Sequence, residues 1–191
     1  MTMLTMLAYH GDPAIKAAIL AQLKAHREAD QLVKGYYWED GKGCAIGCLV
    51  HSGNHAECVE RFGMPLNLFH LIDILFETLP NGLAMEWPER VMSAPEVGAD
   101  LSMVWPRWAW WLCGEFLPTI TRDARAVAAL RAVAELYGRW CVGDRTTDDE
   151  FKAAAGASDA VRFFAWADNA ATWAAWAAWA ARDAAGAAKE Q

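Results

Sequence analysis

The sequence predicts an all-α protein. Apolar residues recur at spacings of three and four along most of the chain, the helical period. Helix-start signals recur too, a capping residue or proline standing just ahead of several apolar runs. Strand-like alternation is confined to the short stretch from Tyr36 to Trp38.

Asp12-Pro13 opens the first helix, since Asp caps well and Pro fits the first turn. Its stripe runs Ile15, Ile19, Leu23, His26, Asp30, Val33, which sets two polar residues on the line that should face the core. Gly35 ends this helix, and YYWEDGKG reads as a loop with an Asp-Gly turn. A second helix is expected from near Cys44, closed by Gly53 and followed by one capped by Asn54. Pro65 starts LNLFHLIDILFETLP, with Leu68, Phe69, Ile72, Leu75, Phe76 and Leu79 inward and His70, Asp73 and Glu77 on the wet face. Trp87-Pro88 and Trp105-Pro106 read as entries into two more helices. TRDARAVAALRAVAELYGRWC is a further helix, closed by Gly143-Asp144. The segment 147–188 is rich in Ala, a strong helix former, and carries Trp166, Trp173, Trp176 and Trp179 on one broad face. The expected organisation is a single multi-helix domain: a main helical body over residues 1–120, and over 121–191 an Ala/Trp-rich C-terminal helical pair packed on it.

The chain has 191 residues, is 55% hydrophobic and carries a net charge of −7. An acidic chain without a basic tract argues against nucleic acid, whose phosphates are bound through Lys and Arg, and favours a basic protein surface as partner. Five cysteines and no secretion signal predict free thiols in a reducing cytoplasm. The longest uncharged stretch of the tail, Asn169 to Ala181, falls short of the roughly 20 residues that span a bilayer, so no membrane is expected.

The densest chemistry lies in GKGCAIGCLVHSGNHAEC. Cys44, Cys48, His51, His55 and Cys58 are spaced 4-3-4-3, but one unbroken helix would spread them over about 21 Å. Only a turn at Gly53 would let Cys48, His51, His55 and Cys58 converge on zinc. The spacing matches none of the usual zinc knuckles, so no cofactor is the first expectation and zinc the exception. The readings rank as structural cysteines, then a reactive thiol, then metal. The thiol reading centres on Cys44: at a helix N-terminus beside Lys42 it would favour thiolate, with His10 or His26 as its base. Gly41-Lys42-Gly43 would alternatively cradle a phosphate or carboxylate, or simply make a tight turn. His26 and Asp30, four apart, suit an oriented base or a plain structural hydrogen bond. Together with His10, Asp12, Lys42 and Cys44 they define one expected polar pocket. The Trp residues read mainly as core, whereas the tail's Trp173, Trp176 and Trp179 are expected at a protein interface or in self-association.

The motifs Tyr9-His10-Gly11-Asp12, His26-Arg27-Glu28-Ala29-Asp30, Gly41 to Cys48 and Asn54-His55 resemble a family of uncharacterised bacterial and phage proteins. So do Trp87-Pro88-Glu89-Arg90, Gly98 to Ser102 and the Ala/aromatic tail. The resemblance implies a phage or mobile-element setting and no activity. The Trp-rich tail departs from the Tyr- and Asp-punctuated tails of that family. Two functions follow as expectations. The first is a non-enzymatic binder that modulates a protein partner, of anti-defence or immunity type. The alternative is a small enzyme or ligand-binding domain using the His/Asp/Cys pocket, with or without a metal.

Overall fold

In the computed structural model the residues described are 6–144, 146–147 and 149–155. They are all-α apart from one small hairpin, and they divide into two compact units between Ser102 and Met103, ahead of the expected boundary at residue 120. Trp166, Trp173, Trp176 and Trp179, expected on one helical face and the last three at an interface, lie outside the described residues.

In the N-terminal unit, a short turn at Ala8–Gly11 leads into α1 (Pro13–Glu28), and Asp12 caps it by accepting from the Ala14 N–H at 2.8 Å. A hairpin follows, β1 (Trp38–Glu39) against β2 (Lys42–Gly43), with Trp38 opposite Gly43. Then come α2 (Ala45–Val50), α3 (His55–Phe62), α4 (Leu66–Thr78) and α5 (Asn81–Ser93). Helix α2 is the centre of this unit. Ala45, Ile46, Gly47, Cys48 and Leu49 are all buried, and a helix apolar on every side has nowhere to be except inside. Around it pack Ile19 and Leu23 of α1, Cys58 and Phe62 of α3, and Phe69, Ile72 and Phe76 of α4. Trp87-Pro88 is not a helix entry: α5 already starts after Pro80, and Pro88 sits buried inside it.

The C-terminal unit holds α6 (Val104–Trp111), which runs through a π turn (Leu112–Phe116) into α7 (Leu117–Ile120), and α8 (Ala124–Cys141). Asp123 caps α8 by accepting from the Arg125 N–H. Ala126, Ala129, Leu130, Val133, Ala134 and Tyr137 form the buried stripe of α8. It faces Trp105, Ala109, Cys113 and Leu117, and the Trp105 indole donates to the Tyr137 hydroxyl at 3.2 Å. The chain is helical again over 149–155, where Phe151 packs on Tyr137 and Trp140. No helix among the described residues is long and apolar enough to cross a membrane.

Candidate functional site

The residues of the expected pocket separate into different places. Helix α1 ends at Glu28, and Asp30 beyond its cap takes a left-handed conformation (φ 51°). The four-residue helical register linking His26 to Asp30 is thereby broken, and Asp30 is exposed. His26 turns instead to Gln31 and His51. His10 reaches the Glu60 carbonyl on α3 at 2.8 Å, Asp12 is consumed as a cap, and Lys42 points to solvent from the hairpin. No anion cradle forms at Gly41-Lys42-Gly43, because the chain uses its donors: Gly43 N–H donates to Gln31 O at 3.0 Å and Cys44 N–H to Tyr36 O at 2.6 Å.

The four expected zinc ligands do not converge. Cys48 and Cys58 are buried in the core. Cys48 Sγ faces the Gly43 carbonyl at 3.5 Å. His51 and His55 belong to two separate polar clusters.

The first cluster joins α1 to the end of α2. His51 is the left-handed C-cap of α2. His26 Nδ1 lies 2.7 Å from Gln31 Oε1. A carbonyl oxygen can only accept, so that nitrogen carries the proton and His26 Nε2 presents a lone pair. His51 Nε2 lies 3.0 Å from it, and the Gln22 amide nitrogen lies 3.3 Å from that same His51 nitrogen. Trp38 stacks on His51 with ring centroids 4.3 Å apart, and Arg61 donates to Gln22 and to the Leu49 carbonyl alongside. Burial, His26 and Arg61 all lower the pKa of His51.

The second cluster surrounds Cys44. This residue is the N-cap of α2, its sulfur accepting from the Gly47 N–H at 3.5 Å. It is 1% exposed. Its position would favour thiolate, but burial dominates and Asp73 adds its charge and its acceptor, so the thiol is pushed up to about 12. The thiolate expectation is corrected accordingly: at neutral pH Cys44 is a thiol.

Asp73 and Glu77 come from α4, four residues apart and so on one face, with His70 one turn before them. Sulfur and carboxylate oxygens of Cys44, Asp73 and Glu77 all lie within 4.8 Å of one another. Glu77 is held by the Gly35 N–H, 3.1 Å from each of its oxygens. Asp73 Oδ2 lies 3.3 Å from His55 Nε2, and His55 stacks on His70 at 4.6 Å. Asp73 Oδ1 and His55 Nε2 are both sealed from solvent without a hydrogen bond of ordinary geometry. Burial and His55 lower the pKa of His70. Cys44, Asp73 and Glu77 form the floor of a cleft of about 330 Å³, whose other lining residues are Gly35, Tyr36 and Tyr37. Tyr36 and Tyr37 are exposed at its rim. Burial first, then the charges of Asp73, Cys44 and Glu77, raise the pKa of the Tyr37 phenol, which keeps its proton.

Sequence reasoning missed Asp73 and Glu77 as site residues by assigning them to solvent. Their signal was the 3-4 spacing of His70, Asp73 and Glu77 on the polar face of α4. In the C-terminal unit, Val104, Trp110, Trp111, Phe116 and Ile120 are exposed large apolar residues, and Trp111 stacks on Phe116 at 5.4 Å.

Fold and site together define an all-α protein with an acidic, thiol-bearing cleft. In comparisons with known proteins, no family model, no curated protein and no solved structure matches this chain.

Proposed function

We propose that the N-terminal unit is a ligand-binding domain whose cleft captures a positively charged centre. One observation carries this: a thiol and two carboxylates converge on a cleft, and among the described residues no Lys or Arg is ion-paired with either carboxylate. Two neighbouring acids with no Lys or Arg of their own, and only the His55 imidazole beside Asp73, favour a guest that supplies the charge. The rim tyrosines offer ring faces to the same kind of guest. The protonated, buried thiol favours binding over nucleophilic catalysis, which needs a thiolate with an adjacent base. We assign this activity to the cytoplasm, where the five free thiols stay reduced.

Calorimetric titration with guanidinium, tetramethylammonium and divalent cations tests the reading. At least one should bind at one equivalent, and Glu77→Gln should weaken that binding. If none binds, or if Glu77→Gln binds as the parent does, the reading is wrong.

A second reading is supported by the exposed Trp111 (45%), Ile120 (47%) and Phe116 (43%) of the C-terminal unit. Apolar groups clustered in this way mark surfaces for protein partners. They fit the expected binder of a protein partner, including a phage-borne anti-defence or immunity protein, or self-association. Sedimentation of the parent and of Trp111→Ala/Phe116→Ala, each with and without candidate partner, tests it. Equal behaviour of the two proteins would refute it.

A further inference from the structure

We infer that the floor of the cleft is a divalent transition-metal site. Cys44 Sγ, one oxygen of Asp73 and one of Glu77 are its protein ligands, and a fourth position opens toward Tyr36 and Tyr37. The inference rests on the cleft being the binding site proposed above, and it names the charged guest.

Three features carry it. The first is distance. Ligand atoms from two separate elements, the cap of α2 and one face of α4, lie within 4.8 Å of one another. Tetrahedral zinc bound at about 2.0–2.3 Å separates its ligands by roughly 3.5 Å, so about 1 Å of closure completes the site. The Glu77 side chain can supply that movement, since each carboxylate oxygen keeps a lone pair beyond the one given to the Gly35 N–H.

The second feature is an acceptor still open to a cation. Asp73 Oδ1 is buried without an N–H or O–H donor, Oδ2 lies 3.3 Å from His55 Nε2, and the carboxylate also meets the Cys44 thiol, whose proton a bound metal would displace. Buried carboxylate oxygens are normally satisfied, and a cation at Oδ1 would satisfy this one. His55 would then steady the ligating carboxylate from behind, the role that outer-shell partners play at metal centres.

The third feature is the donor set. Calcium and magnesium take oxygen ligands, whereas a sulfur among two oxygens selects a borderline metal such as zinc or cobalt. An ammonium would use the carboxylates and gain little from a thiol that is 1% exposed. Three protein ligands with an open position is the arrangement of zinc sites that accept an exchangeable ligand. On binding, the metal–sulfur bond forms as the Cys44 S–H proton leaves to solvent, with no change of oxidation state.

The test uses the full chain, stripped with a chelator and titrated with cobalt(II). The expected result is one equivalent bound, a thiolate-to-cobalt charge-transfer band in the near ultraviolet, and its loss on adding zinc(II). Cys44→Ser should abolish the band, Glu77→Gln should weaken affinity about tenfold or more, and Cys141→Ser should change neither. Circular dichroism checks each fold, and if Cys44→Ser fails to fold, Glu77→Gln decides. Absence of cobalt binding, or a band and affinity unchanged in Glu77→Gln, overturns the inference. If cobalt does not bind but guanidinium or tetramethylammonium binds and Glu77→Gln weakens it, the metal inference fails and the cleft reading stands. If none of these probes binds, both fail.

Discussion

Replacing Gly47 with alanine adds one methyl group inside α2, and two opposing effects decide the outcome. Alanine is the better helix former by about 1 kcal/mol. Against this, the new Cβ would lie 1.5 Å from the Tyr37 carbonyl oxygen and 2.6 Å from its carbonyl carbon. Ordinary contact is about 3.5 Å, so the Tyr37 peptide would have to retreat by roughly 2 Å. It is not free to do so. Tyr36 O accepts from the Cys44 N–H, and Trp38 pairs with Gly43, so the loop is pinned on both sides of the clash. Breaking two such hydrogen bonds costs about 2 kcal/mol and residual overpacking about 2 more. After the helical gain, Gly47→Ala should be less stable by about 3 kcal/mol. That corresponds to a fall in Tm of roughly 6–12 °C for a chain of this size. Thermal unfolding followed by circular dichroism measures it. Gly82→Ala is the control: Gly82 lies in α5 with nothing within 4 Å of an added Cβ, so its Tm should match or exceed the parent's. A Gly47→Ala protein as stable as Gly82→Ala would show that the Tyr37 loop does not rest on α2, and the cleft built from that contact would go with it.

Tyr9→Phe should cost about 1–2 kcal/mol in urea unfolding, because the buried Tyr9 hydroxyl donates to the Met92 carbonyl and its loss leaves that acceptor unpaired; no measurable change would refute the bond. Thiol titration at pH 8 should find at most one fast-reacting cysteine in the native protein and five in denaturant. Burial pushes Cys44, Cys48, Cys58 and Cys113 up to about 12, and only Cys141 is half-buried. Rapid native labelling of Cys44 would contradict its burial. The lowered pKa of His51 predicts a stability that falls with acid. The unfolded state binds the proton more readily, so the contribution is full above the ordinary histidine value near 6.5. It is lost as pH drops from there toward the lower folded value. His51→Gln should flatten this part of the pH profile, and an unchanged slope between pH 7 and 5.5 would count against the His26–His51 pairing.

What could be read from the sequence is what neighbours along the chain decide. Asp12 and Asn54 each cap the helix that follows them, because a cap needs only its own side chain and an N–H two residues on. The buried stripe of Phe69, Ile72 and Phe76 was equally plain from its spacing. The site was harder. His26 and Asp30 share a face only while the helix continues, and a one-residue change of backbone hand after Ala29 separated them. Asp73 and Glu77 are wet on α4 taken alone; what makes them a floor is the 35–37 loop covering that face, a contact between segments nearly forty residues apart. For Cys44 the helix position was anticipated, but the charge state followed from burial, which no local pattern encodes.

Helix α2 has only six residues, about 9 Å of rod, and each end is closed by a residue from a different polar cluster: Cys44 at one, His51 at the other. Core side chains pack it on every side. A guest that displaced Cys44 would therefore carry the far end of the rod with it, and the His51 cap is that end. The ring resonances of His51 would register a guest they never touch.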